Sequence, residues 1–245
     1  MPFALMLVAI DAMLIVHAAK TGRLCPWAYV ILAIPGIGAL AYIVMEIVPE
    51  WMRSIPGQQV RARVAKSLNP DKRYRELSGQ LAIADTIANR VALAHECLAL
   101  GRFEEARQHF DTVLGRPMGD EPAYALGKAR AQFGLGLPLD AAATLDWLRE
   151  TWPHYQSAEG HLLYARALEQ GGLLIEALTE YEVLSQYYPG AEARVRYGLL
   201  LRRMGREGDA KSVFGEVLTQ LSRAPKYVRR VEADWIATAQ KALRA

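Results

Sequence analysis

Apolar residues follow two different patterns along this chain. Before residue 50 they run almost unbroken; after residue 70 they recur every three or four positions, in blocks ended by Gly or Pro. From Pro2 to Ala19 only Asp11 and His17 interrupt the apolar run, and from Leu24 to Met45 there are 22 residues without a charge. About 20 apolar residues suffice for a helix to cross a bilayer core. The pattern therefore predicts two membrane-spanning helices, at about 3–19 and 26–48, with a short loop, Lys20-Thr-Gly-Arg-Leu24, between them. Asp11 near the middle of the first costs about 2.5–3.5 kcal/mol on insertion scales, which six or more Leu, Ile, Val and Phe residues offset. A cleaved signal peptide would need a basic segment ahead of the apolar stretch, and nothing basic but the terminal amine stands there.

The later pattern is periodic. A Gly followed five places on by Ala occurs at Gly101/Ala106, Gly136/Ala141, Gly172/Ala177 and Gly205/Ala210. Seven places before each Gly stands a small residue (Ala94, Ala129, Ala165, Gly198). Nine places after it stands a large apolar one (Phe110, Leu145, Tyr181, Phe214), and twelve after it Val113, Leu148, Leu184 or Val217. Pro117, Pro153, Pro189 and, more loosely, Pro225 follow. Each column has a physical reason. Gly ends one helix in a left-handed turn, small residues let paired helices approach, large ones fill the gap to the next pair, and Pro ends the unit. An extra helix is expected from Lys72 to Ala84, with Thr86 capping the next. A terminal helix is expected over 226–245, with Val228, Val231, Trp235, Ile236 and Ala239 on one face, shielding the end of the stack.

This period of about 34 and its columns resemble the tetratricopeptide repeat, in four copies at about 87–120, 122–155, 158–190 and 191–222. The early Trp of that family is missing, Pro138 opens one second helix, and Glu207 replaces an aromatic. The resemblance implies an all-α solenoid over 72–222 whose first helices line a groove for a partner protein segment. Its register points His95, Arg130, Phe133, Glu159, Leu162, Arg166, Glu169, Arg202 and Arg203 inward. Arginines dominate that set, which suits an acidic or carboxylate-bearing guest. They equally suit a solvated face with Glu159 and Glu169 as partners. In the chaperone-binding subclass an Asn belongs where Arg130 and Arg166 stand, so that partner is disfavoured.

A second resemblance lies at the N-terminus. Trp27, Pro35, Gly38 and Tyr42 look like the two-helix segment ahead of bacterial cardiolipin synthases of the phospholipase D type, where it holds a cytoplasmic domain at the membrane. The catalytic part does not follow. None of His17, His95, His109, His154 or His161 has a lysine two places on. The whole chain looks like bacterial membrane-anchored repeat proteins, a likeness that supplies no reaction.

Charge adds topology. The chain carries +3 overall, yet residues 51–80 hold seven bases against Asp71 and Glu76. Lysine and arginine collect on the cytoplasmic side of membrane helices. Arg53, Arg61, Arg63 and Lys66 outnumber Lys20 and Arg23, which predicts an inner-membrane protein with both termini and the repeats in the cytoplasm. Trp27, Tyr29 and Trp51 fall where interfacial aromatics belong. The linker 51–71, bounded by Pro56-Gly57 and Asn69-Pro70, repeats Val60, Val64 and Leu68 at helical spacing. That suits a short helix on anionic headgroups, or simple topology bias. Without interleaved aromatics it does not suit nucleic acid.

Catalytic chemistry is sparse. Cys25 and Cys97 form no metal-spaced pair, and His95-Glu96 lacks a second His because residue 99 is Ala. There is no phosphate-binding Gly-rich loop and no Gly-x-Ser-x-Gly turn. The expectation is a non-enzyme without cofactor or metal: a membrane-anchored scaffold that binds a partner protein and touches membrane lipids. Its alternatives are a non-catalytic regulator of phospholipid enzymes, or an envelope-assembly factor if the repeats are periplasmic.

Overall fold

The computed structural model describes residues 11–18, 20, 24–33, 37–47 and 71–244. It falls into two compact units, Met1–Lys72 and Arg73–Ala245. The basic residues Arg53, Arg61, Arg63 and Lys66, and the expected helix around Val60 to Leu68, lie outside the described residues.

In the first unit residues 11–18 are helical, and two further helices follow, α1 (Leu24–Ala33) and α2 (Ile37–Tyr42). A π-helical turn, Ile43–Ile47, continues from α2. The single helix expected over 26–48 is thus corrected. A Cβ built on Gly38 would lie 2.3 Å from the carbonyl oxygen of Val30 and 2.7 Å from the Cα of Ile31. Eight residues of continuous helix rise about 12 Å, so α2 folds back on α1. Pro35 and Gly36, between them in the sequence, are the residues least able to continue a helix. Among the described residues no helix is long and apolar enough to cross a membrane.

Leu14, Ala18, Ile31, Ala39 and Tyr42 form the buried centre of this unit. Trp27 meets Tyr42 edge-on at 5.3 Å and donates Nε1–H to Glu46 at 3.1 Å.

The second unit is entirely helical apart from its turns. Helix α3 (Lys72–Ile83) precedes four antiparallel pairs: α4 (Ile87–Ala99) with α5 (Phe103–Leu114), α6 (Pro122–Gly134) with α7 (Pro138–Thr151), α8 (Ala158–Gln170) with α9 (Leu174–Tyr187), and α10 (Glu192–Arg203) with α11 (Glu207–Ser222). Each paired helix packs on its partner, and each second helix on the next element of the stack; α4 also touches α6, and α6 touches α8. Every residue of the small and large apolar columns is buried.

The turns repeat as strictly as the core. At the end of α4 the Gly101 N–H bonds the Leu98 carbonyl (3.2 Å) and the Arg102 N–H bonds that of Cys97 (2.8 Å), with Gly101 at φ 72°. This double bond around a left-handed residue is the Schellman cap. It recurs around Gly136, Gly172 and Gly205. Gly198 serves differently: a Cβ there would stand 2.6 Å from the Phe214 ring. Pro122 and Pro138 occupy first-turn positions, where a missing N–H costs nothing. Thr86 and Ser157 cap α4 and α8 through their hydroxyls.

The C-terminal element corrects another expectation. Instead of one helix there are two, α12 (Lys226–Val231) and α13 (Ala233–Arg244). Glu232 sits at the break, where its carboxylate accepts the Ala191 N–H at 3.1 Å. Val231, before the break, is 78% exposed and off the face expected for it. Trp235, Ile236 and Ala239 do pack on the last pair, and α13 lies against α10 and α11 where a further first helix would stand.

Candidate functional site

The first helices α4, α6 and α8 lie side by side and carry most of the residues expected to face a partner. His95 of α4 is exposed and edge-on to Phe110 at 5.3 Å. Its surroundings lower its pKa, first by burial of part of the ring and then by the charge of Arg130 on α6. Arg130 reaches on to Glu159 of α8, with Nη2 to Oε2 at 2.6 Å. One turn along, Arg166 of α8 lies over the ring of Phe133 of α6, 4.9 Å from its centroid. His95, Arg130, Glu159, Phe133 and Arg166 therefore form a continuous polar and aromatic strip across three repeats.

The other expected residues are placed differently. Leu162 is buried beside Ala165 and Leu168, in the core and not on the strip, within a cluster that draws on α7, α9 and α10. Glu169 accepts a hydrogen bond from the Tyr181 hydroxyl of α9 at 2.8 Å, which ties it to its own pair. Burial, followed by this carboxylate, pushes the Tyr181 pKa up. Arg202 donates to the carbonyl of Ala242 and so holds the last helix. Arg203 is exposed and makes no ion pair among the described residues.

A second concavity was not legible in the repeat pattern. A cavity of about 630 Å³ opens where α7, α8 and α9 meet the 152–157 turn. Its floor includes Leu126, Leu145 and Leu148, and its walls Tyr155, Tyr164 and Tyr187. His161 joins two of its sides, with Nε2 2.5 Å from Glu180 and Nδ1 2.6 Å from the Tyr187 hydroxyl. The His161 hydrogen bond, despite burial, holds the Glu180 carboxyl below its ordinary pKa. Arg149 spans the rim, over Tyr164 at 5.0 Å and 2.7 Å from Asp146. Arg149, His161, Glu180 and Tyr187 are not marked out by the repeat pattern; the fold of α7, α8 and α9 brings them together.

No group of three or more His, Cys, Asp or Glu able to hold a metal occurs among the described residues. Cys97 is buried near Glu105, and burial pushes its thiol up to about 11, far from a reactive thiolate.

No protein-family model matches this chain, and no curated protein matches it. Among solved structures it is similar to that of TTC0263, a thermophilic TPR protein of Thermus thermophilus. The two share 20% identity with a TM-score of 0.53, over 76% of this chain and 99% of that one. The likeness establishes the fold as an all-α helical repeat of the tetratricopeptide type.

Proposed function

We propose that this chain is a protein-interaction scaffold that binds a segment of a partner protein along the strip of its first helices and is held at a membrane by its apolar N-terminal unit. The strip of Arg130–Glu159 and Arg166–Phe133 carries the binding reading. The Arg130–Glu159 pair is largely exposed, and an exposed pair is worth only about 0–1 kcal/mol. A partner carboxylate can therefore replace Glu159 on Arg130 at little cost, and Arg166 can fork onto another. Phe133 offers the flat apolar contact that such interfaces use as an anchor. The fold supports the reading, since stacked helix pairs present extended surfaces to other chains.

Membrane association is supported by the exposed apolar side chains of the first unit, Tyr29, Leu32, Ile37, Leu40, Val44 and Met45. Six large apolar side chains open to solvent in so short a segment suit a membrane or protein contact. The four bases Arg53, Arg61, Arg63 and Lys66 favour a cytoplasmic repeat domain at the inner membrane. A phosphatase fused at Ala245 tests this: activity would place the repeats in the periplasm and favour the envelope-assembly reading.

The second reading, regulation of phospholipid enzymes, rests on the resemblance of Trp27, Pro35, Gly38 and Tyr42 to the segment ahead of the synthases. An unchanged lipid composition in a deletion strain would remove it. The scaffold reading is tested by co-purification from crosslinked membranes. Arg130→Ala with Arg166→Ala should lose the bound partner while the folded protein persists; retention of the same partner would refute the strip as the site.

A further inference from the structure

The solenoid is electrically polarised along its length. Residues 81–191 carry eight bases and fifteen acids, whereas residues 192–245 carry twelve bases and six acids. Several of the late cations are committed locally. Arg194 bonds the Gln220 amide oxygen and the Gly190 carbonyl, and Arg196 pairs with Glu192 and lies over Trp235. Arg202 holds Ala242, and Arg206 pairs with Asp209.

Of the other eight, four cluster around one short helix. Arg223, Lys226, Arg229 and Arg230 are exposed and make no ion pair among the described residues. All four fall within eight consecutive positions around α12. Two apolar side chains stand out beside them, Tyr227 at 72% exposure and Val231 at 78%. Lys226 and Arg230 are one helical turn apart, as are Tyr227 and Val231, so the two pairs form adjacent rows on one side of α12. Val228 takes the opposite side and packs into the core with Trp235 and Ile236. Of the nearest acids, Glu232 is turned away onto the Ala191 N–H, and Asp234 begins α13 beyond the break.

We infer that this patch is a second membrane contact, docking the C-terminal end of the solenoid on an anionic lipid surface. It deepens the membrane reading proposed above. Cations within reach of an anionic leaflet each strengthen partition roughly fivefold, and Tyr belongs at headgroup depth beside an apolar neighbour. The patch lies on the outside of a short helix, and all six side chains are open to solvent. A flat anionic surface matches that shape, and the salt bridges of the cluster's own chain, among the described residues, leave its charge free for headgroups. A second basic run, Arg53 to Lys66, follows the apolar unit in sequence and suits the same surface.

The test uses the full chain with a genetically encoded fluorescent residue at position 227. It is mixed with vesicles of phosphatidylcholine alone, or of equal parts phosphatidylcholine and phosphatidylglycerol, both carrying headgroup-quencher lipid. The expected result is at least about fivefold more quenching with phosphatidylglycerol, lost when Arg223, Lys226, Arg229 and Arg230 are all changed to Gln. Equal quenching in both vesicles, or none, overturns the inference. So does salt-sensitive self-association that occupies the patch and persists with anionic vesicles, which would assign it to the acidic repeats of a second copy. Flotation of the same samples separates the two claims. A chain that floats with phosphatidylcholine without quenching keeps its hairpin anchor and loses this contact. A chain that floats only with phosphatidylglycerol, quenched, keeps this contact and loses the hairpin anchor.

Discussion

Nη1 of Arg202 donates to the main-chain carbonyl of Ala242, 3.1 Å away and 40 residues further along the chain. The last carbonyls of a helix lack partners within it, and a cation supplies both a hydrogen bond and charge complementarity. The arginine expected to await a partner instead fastens the terminal helix to the final repeat.

Arg202→Ala should therefore loosen the end before it affects binding. The expected loss is about 1–2 kcal/mol, seen as faster amide hydrogen exchange in α13 with little change in α4 to α7. Uniform exchange across the chain would contradict this role.

Two glycines should respond to the same substitution for different reasons. Gly101 has a left-handed backbone, yet a Cβ there meets nothing within 4 Å. Gly101→Ala should cost about 1 kcal/mol, from backbone strain alone. Gly127 is helical, and its Cβ would lie 2.3 Å from the Phe110 ring. Gly127→Ala should cost about 1–3 kcal/mol by overpacking and be partly rescued by Phe110→Leu, whereas Gly101→Ala should not be. Thermal unfolding of the four variants decides it.

Much of this architecture was legible in the sequence because its cause is local and repeated. A Gly at one offset and a large apolar residue at another impose the same turn and the same contact four times. What was not legible depends on pairings between distant residues. Glu232 stands between the last two helices and accepts the Ala191 N–H, a pairing that nothing near Glu232 in sequence signals. Leu162 and Arg166 share a helix, and only the packing around α8 buries Leu162 fully while leaving Arg166 half-buried over Phe133. In the N-terminal unit, length and apolarity predicted one uninterrupted second helix over 26–48, while the contact of Gly38 with Val30 folds that stretch back on itself. The cavity around His161 is of the same kind, since its walls come from three helices.

A buried polar pair offers a separate test of packing. The Thr144 hydroxyl donates to the Gln132 side-chain oxygen at 2.7 Å, with both residues buried. Thr144→Val leaves Gln132 without that partner and should cost about 1–3 kcal/mol. The double change with Gln132→Leu should recover much of it. Additive losses in denaturant titration would contradict the pairing.

Two histidines should make stability fall in mild acid. Burial, then the charge of Arg90, lowers the His109 pKa below its ordinary 6.5; burial, then Arg130, does the same at His95. The unfolded chain then takes up these protons more readily than the folded one. Their contribution is intact above about pH 7 and is lost as pH falls through 6.5 toward the lower folded values. The unfolding temperature should decline over that window, and His95→Gln with His109→Gln should flatten the decline. A further loss is expected below about pH 4.5, where Glu180, held down by its His161 hydrogen bond, becomes protonated.

The most direct measurement of the central claim is site-specific photocrosslinking in intact cells. A photoreactive residue replaces Phe133 on the strip or, as the outer-face control, exposed Trp147 on α7. The account predicts one discrete protein adduct from position 133, abolished by Arg130→Ala with Arg166→Ala and absent from position 147. An adduct from position 147 alone, or one from 133 that survives loss of both arginines, would contradict it.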